Sequence, residues 1–346
     1  MDTRESGTRT ILFFLVPNFS MIAFATAIEP LRLANRFLTS RAYEWQLVSS
    51  DGSPVQASNG LSINVDASLA DISNDRASIF KPDIVLVCSG LSVEHYRDSK
   101  LFAWLRLIHG HGVTVGGLCT GAWILAEIGL LENCRCAIHW ENMPGFIEKF
   151  PDTEVHSNLF EMDRNIYTCA GGTASLDMML HIISGQLGDA IVTKVCEQCL
   201  ADRVRNASDR QRLPLRARRG LNNKKLLFII EQMEANISEP LRLEEISELS
   251  DLSRRHIERM FRQYLGQSPA RFYLELRLEY AHHLLLQSDL DIIDVAVACG
   301  FVSASHFSKC YRSLYGVSPL ADRNAAAAPI ETLQSGPAPQ VSSAQV

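Results

Sequence analysis

Gly117-Leu118-Cys119-Thr120-Gly121 is the stretch of this chain whose residue types suit covalent chemistry. The apolar run Val113–Leu118 reads as a buried strand, and it passes through a small-Cys-small turn straight into Ala122-Trp123-Ile124-Leu125-Ala126-Glu127, a helical pattern. Strand, tight turn and helix together hold a nucleophile at the carboxyl edge of a sheet, the edge at which open α/β sheets bind ligands. A helix N-terminus at that point is expected to lower the thiol pKa and to favour anions. The same residues equally suit a small buried thiol that fills a tight turn.

A second chemistry, recognition of base edges, is written twice. Ser250–Pro269 and Gly300–Pro319 align at an offset of 50 residues, with Ser253/Ser303, His256/His306, Arg262/Arg312, Gly266/Gly316, Ser268/Ser318 and Pro269/Pro319 identical. Each copy reads as helix-turn-helix. In the first, Leu243–Leu249 forms a short helix with Leu243, Ile246 and Leu249 inward. Ser250–Leu252 makes the turn, and Ser253 takes the N-cap of a helix that buries Ile257, Met260, Phe261 and Leu265. That leaves Arg254, Arg255, Glu258, Arg259 and Arg262 outward, where arginine can grip guanine with two bonds and glutamate can accept from cytosine. In the second copy Ile293, Val295 and Ala296 lead into Cys299-Gly300-Phe301, and Ser303 caps a helix carrying Phe307 and Tyr311. Between the copies, Ala270–Gln287 reads as one unbroken helix of about 27 Å, long enough to hold two reading helices roughly one DNA turn, about 34 Å, apart.

The elements that must position Cys119 alternate in type. Strands are expected at Ile11–Val16, Trp45–Val48, Ile84–Val87 and Val113–Leu118, with two shorter ones at Leu159–Met162 and Ile166–Cys169. Helices are expected at Ser20–Phe37, Leu101–His109, up to Phe150, Thr173–Leu187 and Ala190–Arg203. Strands alternating with helices predict an α/β domain with a mostly parallel sheet between helices, followed by an all-α domain of two helix-turn-helix units. The expected division is a leader over 1–9, a first domain over 10–203, a basic linker over 204–225, a DNA-binding domain over 226–322 and a disordered tail over 323–346.

Bulk numbers agree with that division. The chain has 346 residues and a net charge of −6, which hides an asymmetry. Residues 1–202 carry 14 Lys and Arg against 23 Asp and Glu, whereas residues 203–323 carry 19 against 15. A basic part joined to an acidic part fits a nucleic-acid module on a partner domain that does not touch DNA. Nine cysteines form no framework, Met1–Arg9 is polar, and no window reaches the length of a membrane span, so a reducing, cytoplasmic protein with free thiols is expected. Neither Cys134-x-Cys136 nor Cys196-x-x-Cys199 has the paired spacing of a zinc site, so no metal or cofactor is expected.

Leu226–Pro319 resembles the AraC-type DNA-binding domain, on the strength of the duplicated units and the run G-F-V-S-A-S-H-F-S-K-C-Y-R. The resemblance places base-reading residues at Arg255, Glu258 and Arg259, and at Ala304, Ser305 and Lys309, with Arg254, Arg262 and Arg312 also on the DNA side. Ala304 offers only a methyl group, so the second unit is expected to lean on phosphate contacts. Residues 10 to about 200 resemble the DJ-1/PfpI superfamily, in the version fused to an AraC-type reader (GlxA-like regulators). The residues carrying this are G-L-C-T-G-A-W-I-L-A-E-I-G-L-L, His139-Trp140 and C-A-G-G-T-A-S-L-D-M-M-L-H. In enzymes of that superfamily the elbow cysteine pairs with an acid four residues before the position of Pro30, and here that place holds Thr26. The catalytic set is therefore incomplete, and the pocket is expected to bind rather than cleave. Its expected residues are Asn18, Glu29, Ser89, Gly90, Cys119, Thr120, Trp123 and His139.

The run P-N-F-S-M-I-A-F-A-T-A-I-E-P-L-R-L-A-N resembles the branch that senses amines and amino-acid-like metabolites such as arginine, carnitine or glycine betaine, in the control of their catabolism. Glu29 would oppose a ligand cation, and Trp123 or Trp140 would supply an aromatic face for it; core packing is the competing role for both tryptophans. The resemblance implies a regulator, an activator by family, that binds double-stranded DNA and a small-molecule effector, meets the transcription machinery and forms a homodimer. A Cys119-dependent hydrolase, hydratase or glyoxalase-like enzyme, and a thiol redox sensor, are the competing readings.

Overall fold

A computed structural model describes residues 7–74, 82–209, 211, 223–288 and 290–327, and the chain divides into two compact units, Met1–Ile229 and Ile230–Val346. In the first unit the run of apolar residues after Thr10 forms β1 (Arg9–Leu15), buried on both faces. Alternate residues serve opposite cores: Ile11, Phe13 and Leu15 join one apolar cluster, Leu12, Phe14 and Val16 the other. The elements that follow are α1 (Met21–Arg36), β2 (Tyr43–Ser49), β3 (Val55–Gln56), β4 (Ser62–Ile63), β5 (Ala67–Ser68), α2 (Leu69–Asn74), β6 (Ile84–Cys88), α3 (Ser99–Gly110), β7 (Thr114–Leu118) and α4 (Gly121–Glu127). Then come β8 (Arg135–Ala137), α5 (Met143–Lys149), β9 (Glu154–His156), β10 (Phe160–Asp163), β11 (Ile166–Cys169), α6 (Ala174–Leu187) and α7 (Asp189–Cys199).

Among the described residues the main sheet has the order β10-β11-β7-β6-β1-β2-β5. Every pair in it is parallel except the β10–β11 hairpin. The register Cys88↔Leu118 and Cys169↔Leu118 brings the ends of β6 and β11 beside the end of β7, so three strand ends surround the turn at Cys119.

The second unit is helical. The boundary between the units falls within α8 (Lys224–Ala235), and the second unit continues with α9 (Leu243–Ser250), α10 (Arg254–Leu265), α11 (Pro269–Gln287), α12 (Ile292–Ala298), α13 (Ala304–Tyr315) and α14 (Pro319–Ala327). The two reading helices start and stop by the same devices. Ser253 and Ser303 accept from the backbone N–H of His256 and His306, and Gly266 and Gly316 end the helices in the left-handed region at φ 70° and 78°.

Several expectations are revised. Leu249 is 52% exposed and Ser250 takes the inward place, because one turn on from Ile246 falls nearer 250; its hydroxyl donates to the Ile246 carbonyl at 2.7 Å. Leu265 is only partly buried and Ile293 is 64% exposed. α7 stops at Cys199 instead of Arg203, since Leu200 turns left-handed at φ 53°. β3, β4, β5, β8 and β9 have two or three residues each, too few to show a period in sequence. The stretch expected to be disordered from 323 onward begins as helix, to Ala327. Residues 1–6 of the expected leader, 210 and 212–222 of the expected linker and 328–346 of the expected tail lie outside the described residues.

Candidate functional site

Cys119 leaves β7 at φ 61°, a left-handed value for a residue with a side chain, and α4 begins two residues later. The strained turn is held from several sides. The Thr120 hydroxyl donates to the Gly90 carbonyl at 2.7 Å, and the Leu91 N–H donates to the carbonyl of Asn18, itself left-handed at φ 62°. The His139 N–H donates to the Cys119 carbonyl at 3.3 Å. Across the turn lies Gly171, at φ +79°; a Cβ there would sit 2.5 Å from the Cys119 Cβ, so only glycine permits the approach. Next to it, the Gly172 carbonyl accepts from the Thr26 hydroxyl at 2.6 Å. The place at which a catalytic acid was sought thus holds a neutral side chain already committed to the wall of the site.

The electrostatics run against nucleophilic chemistry. Cys119 is 8% exposed, and its burial pushes the thiol up to about 12, with the neighbouring Cys169 adding to the rise. The Thr120 N–H and the Ser20 hydroxyl bond to the sulfur and pull the other way, but desolvation wins. The expected lowering by the helix N-terminus is therefore reversed: α4 has seven residues, and the charge that it would favour is shut off from water. Burial also lowers the His139 pKa, which keeps that ring neutral, and its Nδ1 lies 3.7 Å from Glu141. The contact of His139 with Cys119 runs through the main chain, while its ring faces Glu141. One polar atom is open: the Ser89 hydroxyl is buried and has no hydrogen-bond partner among the described residues.

Of the expected pocket residues, the main chains of Asn18, Ser89, Gly90 and His139 and the Thr120 hydroxyl lie around the Cys119 turn. Two do not. Glu29 lies on the solvent side of α1, paired with Arg32 at 2.6 Å. Trp123 is 1% exposed in the opposite core, edge-on to Phe146 and Phe150, with Lys149 over its ring. Cys119 lies in the left-handed turn before α4, so the helical rule that brings residues four apart to one face does not join it to Trp123. Ser20, Gly171 and Gly172 were missed; the glycine pair just after a strand end was the available signal.

In the second unit Arg255, Glu258 and Arg259 stand exposed on α10 and form no ion pair among the described residues, while Arg254 is held by Glu244 at 2.6 Å. Ser305, Lys309 and Arg312 are exposed on α13 and Ala304 is half-buried; Arg262 is exposed as well. Both helices put their buried residues on one side, Ile257, Met260 and Phe261 or Phe307 and Tyr311, and leave the other side open to a groove.

Residues 9–185 match the DJ-1/PfpI family, and residues 246–325 match a helix-turn-helix domain. The HTH-type transcriptional regulator GbdR of Pseudomonas aeruginosa is 42% identical over 320 residues, 92% of this chain and 85% of that protein. CdhR, an HTH-type transcriptional regulator of the same species, is 42% identical over 311 residues, 90% of each chain. GlxA of Rhizobium meliloti, another HTH-type transcriptional regulator, is 36% identical over 319 residues, 92% of this chain and 96% of that one. All three relatives are named as transcriptional regulators. The chain accordingly belongs to the DJ-1/PfpI family and, within it, to the GlxA-, GbdR- and CdhR-like regulators, AraC-family DNA-binding transcriptional regulators that carry a DJ-1-like domain.

Proposed function

We propose that the first domain binds a small nitrogenous effector, an amine, amino acid or betaine, at the Cys119 turn, and that its occupancy controls how the second unit engages DNA. The observation that carries this is a binding geometry stripped of its chemistry. A strained turn at a sheet edge is retained, its thiol is kept protonated, and the buried Ser89 hydroxyl is left for a ligand to satisfy. A ligand controls an equilibrium only by binding two states unequally, so the effector must favour one arrangement of the DNA-binding part. Base reading by Arg255, Glu258, Arg259, Ser305 and Lys309, activation of transcription, a homodimer and a cytoplasmic location belong to the same reading; among the described residues no helix is long and apolar enough to cross a membrane.

The test is a thermal-shift screen of the full chain with glycine betaine, carnitine and arginine. A specific ligand at a hundredfold excess over its Kd stabilises by about 2.7 kcal/mol, and Ser89→Val should abolish the shift. No shift with any compound of this class would overturn the assignment. The thiol gives an independent check. Native Cys119 should resist alkylation by iodoacetamide at pH 8, with labelling rising only as the pH climbs toward the raised value, about 12. Rapid labelling near neutrality would favour a Cys119 enzyme or redox sensor instead.

A further inference from the structure

The segment over 204–225 is expected from the sequence to be a basic linker. Its described portion is instead sewn onto the first unit, at both walls of the Cys119 site. On one side the Arg205 guanidinium donates from Nε to Asp177 at 2.9 Å and from Nη2 to the Thr173 hydroxyl at 2.7 Å, and its backbone N–H donates to Asp177 at 3.0 Å. Asp177 is 3% exposed, and removing Arg205 would leave a buried carboxyl without its ion-pair partner. On the other side the Gln211 amide donates to the carbonyls of Ile138 and Asn158, at 2.9 and 2.8 Å. Midway, the Ala207 carbonyl accepts from the Leu159 N–H at 2.9 Å.

Two of these anchors, Thr173 and Ile138, are one residue from an atom that touches the turn or its wall. Thr173 follows Gly172, which bonds Thr26, and Gly171, which abuts Cys119. Ile138 precedes His139, whose N–H bonds the Cys119 carbonyl. Beyond Gln211 the chain runs through residues 212–222 to α8 and the DNA-binding unit. We infer that residues 203–209, with Gln211, form a strap that reads both walls of the Cys119 site and passes their spacing on to the DNA-binding unit, with Arg205 and Gln211 as its positioning residues. Coupling needs an element with two arrangements, and the strap supplies one: seated on Asp177 and Ile138, or released. This rests on the assignment of the effector to the Cys119 site.

The test uses the full chain, the three probe compounds above and labelled operator DNA. Arg205→Ala and Gln211→Ala should keep the thermal shift given by the probe, while the effect of the probe on operator affinity falls about fivefold or more. Arg203→Ala, which breaks only an ion pair to Asp209 inside the strap, should respond like the parent. If both strap variants keep the parent's response, the strap does not transmit. If no probe shifts even the parent, the site assignment fails, and the strap is judged without ligand. Thr26→Val, which frees Gly172, should then speed amide exchange in residues 203–209 at least fivefold; unchanged exchange there overturns the strap. Arg205→Lys serves if the alanine variant does not fold, and should show a partial loss of response, whereas a full response from it counts against the proposal.

Discussion

The two helix-turn-helix units share a backbone plan and differ in what closes it and what it shows to DNA. At the corner between reading helix and following helix, the first unit places Phe261 edge-on to Phe272, ring centroids 5.5 Å apart. At the same places, 50 residues on, the second unit has Tyr311 and Asp322. The Tyr311 hydroxyl donates to Asp322 at 2.6 Å, His282 Nδ1 lies 2.7 Å from that hydroxyl, and the His282 ring stacks on Tyr315. Their turns differ too. The first unit uses Asp251 at φ 52°, while the second needs Gly300, where a Cβ would fall 2.6 Å from the Pro240 ring; Arg277 holds that turn by bonds to the Cys299 and Gly300 carbonyls. Outward, the first unit offers Arg255, Glu258 and Arg259, side chains whose hydrogen bonds are directional. The second offers Ala304, Ser305 and Lys309. A duplicated scaffold can therefore divide its labour: one copy packed dry and presenting side chains able to discriminate, the other closed by a polar network and suited to backbone contacts.

That contrast can be broken in three ways. The largest effect is expected from Phe261→Ala, which leaves a cavity at the dry corner and should cost about 3–5 kcal/mol in the unfolding of the second unit, read by calorimetry. A loss below about 1 kcal/mol would mean that this corner collapses freely and is not what seals the unit. Next, Arg259→Ala should lose about 1–3 kcal/mol of discrimination at one base pair, whereas Lys309→Ala should weaken all sequences alike and reduce the salt slope by about one. Equal sequence preference in both variants would erase the proposed division. The smallest effect belongs to Tyr311→Phe, which removes a hydroxyl bonded to both Asp322 and His282 in a network with partial water access, about 1–2 kcal/mol. A loss as large as that of Phe261→Ala would show the polar corner to be as critical as the apolar one.

The same difference explains what could be read early and what could not. Reading-helix faces were legible because a 3.6-residue period and two serine caps are local properties, and duplication displayed them twice. The end of α9 was misjudged by one residue, Leu249 for Ser250, since several periods fit so short a helix. In the first unit, β1 announced itself by an apolar run with no polar break. The two-residue strands β3, β4 and β5 did not, because long-range pairing alone makes them strands.

By itself the sequence determined the order of elements, the location of the Cys119 turn between a strand and a helix, and the duplicated reader, all consequences of short-range sterics and periodicity. Only the tertiary structure decided which side chains meet. It turned Glu29 to solvent and Trp123 into the opposite core, set Gly171 against Cys119, and raised the thiol where a helix N-terminus alone would have lowered it. Desolvation, strand register and the face on which a helix lies depend on neighbours far away in the chain, and no local pattern contains them.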